Sequence, residues 1–437
     1  MTQEKKQNGS IIAIITMMFL FAMISFVTNL AAPIGVIWKN QPGIEGSNFL
    51  GMMGNMMNFL AYLFMGIPAG KLLTKIGYKK TALVAIAVGL LGVFIQFLSG
   101  IIGVGSQLLG LPANFYVYLF GAFVAGFSVC MLNTVVNPML NLLGGGGNKG
   151  NQLIQTGGTL NSLAGTLTPM FVGALIGTVS KDTAITDINP VLFIAMGVFA
   201  AAFVILSFIP IQDPDADKKK GNIVYERSAW AFRHFVLGTV AIFVYVGVEV
   251  GIPGTLNFYL ADPSAGGVGP TIAGFVAGTY WFLMLIGRFL GSILGGKISS
   301  KMMLTFASAL GIALIVGAML SPVTVKTAMP VFTGSGFEMT QVPLSALLLV
   351  LCGLCTSIMW GGIFNLATEG LGKYTAAASG IFMMMVVGGG ILPLVQNWVA
   401  DISTYMTSYL VPVAGLAYML YYALIGSKNV NKDIPVD

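Results

Sequence analysis

Twelve stretches of this chain are each long and apolar enough to cross a lipid bilayer, and that repetition constrains the fold more than any other feature. A spanning helix needs about 20 mostly apolar residues, because the hydrocarbon core is about 30 Å thick and each residue rises about 1.5 Å. Six stretches fall near 11–36, 49–75, 80–101, 113–143, 150–179 and 190–210, and six more near 230–259, 270–296, 302–320, 342–367, 375–400 and 404–425. Only 8% of the residues are charged. A soluble domain carries about 25%, so this chain has too few charges to make a soluble surface. The first stretch runs from Ile11 to near Ile37 with no small-residue cleavage pattern, so it reads as a membrane helix rather than a signal peptide. The expected fold is an all-α membrane protein with the lipid bilayer as its solvent.

The charged residues set the organisation. Of the 21 Lys and Arg, Lys39, Lys181 and Lys326 fall in loops on one side, Arg288 lies within a helix, and the other 17 share the opposite side. By the positive-inside rule both termini are then cytoplasmic, in a bacterial inner membrane. This distribution accounts for the net charge of +6 without nucleic acid as a partner. The one long charged stretch, Gln212–Arg227, divides the chain almost in half. We expect an N-terminal six-helix bundle over 1–210, a cytoplasmic linker over 211–229, and a C-terminal six-helix bundle over 230–437, in a monomer.

A weak internal repeat supports two halves. Gly70-Lys71-Leu72-Leu73-Thr74-Lys75-Ile76-Gly77 follows helix two, and Gly287-Arg288-Phe289-Leu290-Gly291, ending in Lys297 and Lys301, follows helix eight. Each joins glycines, which let helices approach closely, to a basic turn at the membrane interface. We assign Gly70, Lys75, Gly77, Arg288 and Gly291 a gating or structural role, with Arg288 anchoring the basic turn. Gly144–Gly147 lacks the Gly-Lys-Ser/Thr that completes a phosphate loop and reads as a turn. Gly388–Gly390 reads as a bend in helix eleven. Cys130, Cys352 and Cys355 lie in apolar runs, and the single histidine, His234, starts one. Cys352 and Cys355 form a C-x-x-C, but no second cysteine or histidine pair lies within ligand spacing, so no metal or cofactor is expected.

Polar groups inside membrane helices are costly and mark cavities or helix contacts. They include Asn29, Asn55, Asn58, Asn133, Asn137 and Asn161 in the first half, and Asn257, Asn365 and Gln396 in the second. Amides donate and accept, which suits the alternating hydroxyls of a sugar. Tyr245, Tyr280, Trp281 and Trp360 offer rings for sugar C–H faces. Each amide also has a plainer use as helix–helix glue, worth about 0.6 kcal/mol. Glu249 is the one acid near the middle of a helix, one turn from Tyr245 on the same face. Gly251-Ile252-Pro253-Gly254 follows it, a combination that breaks helical bonding.

Leu132-Asn133-Thr134-Val135-Val136-Asn137-Pro138 resembles the helix-four motif of fucose–proton symporters, where an acid precedes T-A-A-N-P. Tyr245–Val250, Gly287-Arg288-Phe289, Leu371–Thr375 and Val387–Gly390 are similar to that family as well, and the likeness runs through all twelve helices. The resemblance implies the major facilitator fold and transport of a monosaccharide by alternating access. Taken with the amides and rings above, the expected substrate contacts are Asn29, Asn133, Asn137, Asn161, Tyr245, Tyr280, Trp281 and Trp360. The family's two membrane acids fall here on Asn29 and Asn133, amides that exchange no proton, and a family glutamine on helix five falls on Gly158. Glu249 is the remaining coupling candidate, and proton, sodium or uncoupled transport all stay open. So does another small solute, such as a nucleoside, peptide or organic anion. A membrane enzyme is disfavoured, since no nucleophile, acid and base converge.

Overall fold

In the computed structural model, the described residues are 3–143, 147–176, 183–209, 227–294, 298–333, 336–371, 374–431 and 434–435. Twelve helices among them are long and apolar enough to span a membrane. In the first half these are α1 (Ile11–Lys39), α2 (Asn48–Leu73), α3 (Lys75–Leu98), α4 (Ala113–Asn137), α5 (Thr156–Ile176) and α6 (Ile185–Phe208). In the second half they are α7 (Arg233–Ala261), α8 (Pro270–Gly291), α9 (Ser300–Leu320), α10 (Leu344–Thr368), α11 (Gly380–Ile402) and α12 (Tyr405–Gly426). All twelve expected segments are present, in two six-helix bundles. Most of the expected linker, through residue 226, lies outside the described residues, as do Lys181, Lys297, Lys373 and most of Gly144–Gly147.

Local chemistry explains the breaks. Gly77 has φ 82° and ψ 173°, a conformation that glycine reaches without a Cβ clash, and it turns the chain from α2 into α3. The glycine run also acts as expected. The helix Thr375–Met385 ends before the one that starts at Gly388, and a Cβ at Gly388 would collide with the Phe243 backbone of α7. Gly291 likewise packs tightly, against Ile358 of α10. Gly70 does not: nothing lies within 4 Å of where its Cβ would stand, so no close helix approach depends on it. Lys75 is exposed at the α2–α3 turn.

Two expectations for α7 and α10 need correction. The Gly-Ile-Pro-Gly sequence does not interrupt α7, which stays helical across Pro253. Proline removes only one amide there, and close neighbours on every side hold the helix. Asn365 is exposed near the end of α10 rather than buried.

The halves meet along two seams, α2 against α11 and α5 against α8. Adding six to the span number of α2 and α5 turns one seam into the other, as expected for two related halves. Small residues bring the backbones together. A Cβ on Gly278 of α8 would meet the Thr166 carbonyl of α5, and one on Gly66 of α2 would meet Met384. Asn55 of α2 secures the first seam by donating to the Gly389 carbonyl at 2.8 Å.

Two strand pairs stand outside the expected elements. Between α9 and α10 the chain forms an antiparallel hairpin, β3 (Lys326–Phe332) and β4 (Phe337–Pro343). A short ladder, β1 (Gln107–Leu108) with β2 (Leu111–Pro112), links α3 to α4.

Candidate functional site

A cleft lies where the halves meet. It is lined by Thr28, Asn29 and Ala32 of α1, Met52 and Asn55 of α2, Val250, Pro253, Gly254 and Asn257 of α7, and Ala277 and Trp281 of α8. Asn29 donates its amide to the carbonyl and hydroxyl of Ser25, at 2.9 and 3.1 Å, which leaves its oxygen as an acceptor. Trp281 and Asn29 meet over Gly165 of α5, where a Cβ would come within 3.3 Å of both side chains. Amides and an indole ring therefore converge from both bundles.

Below the cleft, Glu249 is buried on α7, about 12 Å along the helix from Asn257. It accepts from the Tyr245 hydroxyl at 2.8 Å, as the one-turn spacing predicts. Arg288 of α8 stands 3.3 Å away, and Tyr245 packs edge-on against Trp360 at 6.2 Å. Arg288 does not anchor the basic turn. Its guanidinium also donates to the Gly158 carbonyl at 2.8 Å and to the Ser162 hydroxyl at 2.9 Å, both on α5. A nearly buried guanidinium needs a counter-charge and acceptors, and the interface supplies them whereas an apolar helix end does not. The position of the family glutamine, Gly158, is the room that Arg288 uses.

Above the cleft, charged groups tie the halves together. Lys39, ending α1, lies 3.4 Å from Asp262, just past α7, and donates to the Tyr405 hydroxyl at 2.6 Å. That hydroxyl stands 2.9 Å from both Asp262 Oδ2 and Asn48 Oδ1, its one proton serving either. Asp401 of α11 accepts from the Asn48 and Phe49 amides at 2.7 and 2.8 Å and from the Ser47 hydroxyl at 3.1 Å. It thereby caps the positive N-terminus of α2 from the opposite bundle. Burial pushes the Asp262 carboxyl upward, but the Ser264 hydroxyl and amide, with Lys39 and Tyr405, outweigh it and hold it below the ordinary carboxylate range.

Of the sequence-predicted site residues, Asn29 and Trp281 line the cleft, and Tyr245, Trp360, Glu249 and Arg288 form the cluster beneath it. Asn133 donates to the Tyr62 hydroxyl at 2.7 Å and Asn137 to the Asn133 carbonyl at 3.0 Å. Asn161 donates to the Phe21 carbonyl at 3.0 Å. These three lie off the cleft, inside the N-terminal bundle. Tyr280 is buried against Thr356 at 2.8 Å. The sequence marked Asn55 and Asn257 as membrane amides without giving them a role. It missed Lys39, Asp262, Asp401 and Tyr405, whose only signal was a charge or hydroxyl at a helix end.

Residues 11–394 match the sequence profile described as Major Facilitator Superfamily. The glucose/galactose transporter of Brucella abortus biovar 1 (strain 9-941) is 32% identical over 442 residues, covering 98% of this chain and 97% of that protein. The L-fucose-proton symporter of Escherichia coli K12 is 23% identical, covering 95% of this chain and 92% of its own. The crystal structure of the transporter FucP in its outward conformation superposes with a TM-score of 0.67 at 20% identity, covering 96% of this chain and all of that one. A bacterial homologue of the lysosomal transporter Spinster, inward-facing and occupied, gives 0.68 at 12% identity, covering 100% and 99%.

Proposed function

The chain belongs to the major facilitator superfamily, and we propose that it carries a monosaccharide of the hexose type across the membrane by alternating access. The observation that carries this reading is the cleft, which amides from three helices line together with the Trp281 indole. Amides bond to hydroxyls as donor or acceptor, and the ring covers an apolar sugar face. Such a set recognises a neutral polyol and supplies no excess positive charge for an organic anion. The names of the relatives, glucose/galactose transporter and L-fucose-proton symporter, support the same class.

The cleft lies between two sets of contacts that cross from half to half. Above it are Lys39–Asp262–Tyr405 and the Asp401 cap on α2; below it Arg288 reaches α5. Alternating access requires the two sets to open in turn. Both termini face the cytoplasm in this reading, with Lys39 on the outside, as the distribution of Lys and Arg implies. Glu249 is the coupling candidate, because Asn29 and Asn133 stand where related symporters carry acids.

Counterflow in proteoliposomes tests the substrate class. Unlabelled glucose or galactose inside should accelerate entry of labelled hexose, and a nucleoside, a dipeptide or a carboxylate should not compete. Transport of one of those solutes without hexose counterflow overturns the assignment.

A further inference from the structure

The base of the β3–β4 hairpin lies level with the upper contacts. Leu344 bonds to Val325 at 2.9 Å, the next residue, Ser345, meets the Tyr259 hydroxyl at 3.3 Å, and Tyr259 packs on Tyr405 at 5.7 Å. The far end lies much deeper. The Phe332 amide donates to Thr279 Oγ1 of α8 at 3.1 Å, and Phe332 stacks on Phe282 at 4.8 Å. Thr279 and Phe282 flank Trp281, the ring that lines the central cleft. Thr279 is nine residues into α8, about 14 Å along a helix, and seven strand residues span about 23 Å, enough for that descent. The hairpin thus runs down the back of α8 to the level of the cleft, near the middle of a hydrocarbon core about 30 Å thick.

Its two faces differ in the way such a placement requires. Met329, Val331 and Val342 are buried against the helices. On the other face, Pro330 pairs with Met339 and Phe332 with Phe337, and Met339 and Phe337 are 68% and 53% exposed. Glu338 pairs with Val331, on the opposite face from Met339, and is itself exposed near the turn. The strand edge toward α8 is also treated. Amides two residues apart point the same way, so the edge that gives the Phe332 amide to Thr279 has proline, with no amide, at position 330. Backbone donors exposed to hydrocarbon cost several kcal/mol each, and the proline removes one such donor from this edge.

We propose that β3–β4 is a re-entrant hairpin embedded in one leaflet, with the outer face around Met339 and Phe337 covered by lipid acyl chains. It continues the apolar surface that α8 presents through Phe289, Leu290 and Ile293, all exposed. Because it holds the back of α8, it also braces the wall that carries Trp281.

Site-directed spin labels in proteoliposomes test this. The cysteines at 130, 352 and 355 are buried and free, so a label at Met339→Cys reports the introduced site. Ala328→Cys, on the same face of the other strand, serves as the second variant. Leu310→Cys, exposed midway along α9, is the lipid reference, and Thr324→Cys, in the loop before the hairpin, is the water reference. The labels at 339 and 328 should be open to oxygen as at 310, and should lose the access to a water-soluble nickel chelate that 324 retains. Chelate access equal to that at 324 would put the hairpin in water, and exclusion of both quenchers would mean that another protein surface covers it. Either result overturns the proposal.

Discussion

Arg288 donates to the Gly158 carbonyl at 2.8 Å, a charge-assisted bond from the C-terminal bundle to a backbone group of the N-terminal one. The same guanidinium faces Glu249, so the counter-charge of the proposed coupling carboxylate is also a link between the two halves. A Cβ at position 158 would stand 3.5 Å from Arg288 Nη1, an ordinary contact, whereas a longer side chain would compete for the guanidinium's place. Gly158→Ala should therefore retain most hexose transport. Gly158→Gln should lose about tenfold or more, the loss of one bond to a charged group being about 1.5–3 kcal/mol. Equal rates in the two variants would detach Arg288 from the transport cycle.

Removing one partner of the buried pair should cost more than removing both. Arg288→Ala leaves Glu249 without its counter-charge and should destabilise the protein by about 3–5 kcal/mol. The double variant Arg288→Met with Glu249→Gln should recover part of that loss in a thermal melt in detergent. Additive losses would show that the pair is not energetically coupled.

The cleft amides and the bundle amides should separate in kind. With the substrate in the cleft as proposed, Asn29→Ala or Asn257→Ala should raise the half-saturation concentration about tenfold, with little change in melting temperature. Asn161→Ala removes the bond to the Phe21 carbonyl and should lower the melting temperature while leaving half-saturation within about threefold. The reverse pattern would move the substrate site into the N-terminal bundle.

These assignments show where the sequence was legible. Spans declare themselves through length and apolarity, and the Tyr245–Glu249 bond follows from helical periodicity alone. Contacts between distant elements do not. Nothing near Asp401 shows that it caps a helix more than 350 residues earlier, and nothing near Arg288 selects α5 over the basic turn. The hairpin was hidden for another reason: its alternation of buried and exposed residues includes apolar residues on both faces, which fits a strand in lipid and resembles a loop read for water.

The upper contacts should act as a latch. Asp401→Ala removes three acceptor contacts from the N-terminus of α2 and should favour the conformation open on the Lys39 face. A gain of about 1–2 kcal/mol shifts such a ratio about 5–30-fold. Alkylation of Thr28→Cys by a reagent confined to that face reads the shift, and an unchanged rate would remove Asp401 from the gate.

Proton dependence gives the most discriminating prediction. Asp262 is held below its ordinary value in the latched state, so its contribution is fully present above the ordinary carboxylate range. It is lost only as pH falls through the depressed value. Asp262 should therefore add no pH dependence to the latch between about 5 and 8, and a pH dependence of transport in that window must come from another group. Asn29 and Asn133 exchange no proton, so the acid beneath the cleft that could do so is Glu249, already engaged by Tyr245 and Arg288. In proteoliposomes, either a pH gradient drives hexose accumulation that Glu249→Gln abolishes, or a pH gradient drives none. We expect the second outcome, because both family acid positions are amides here. An imposed sodium gradient then separates sodium coupling from facilitation. Proton-driven accumulation that survives in Glu249→Gln would refute both forms, and would show that an acid at the interface, such as Glu369 or Asp401, reaches the transport pathway.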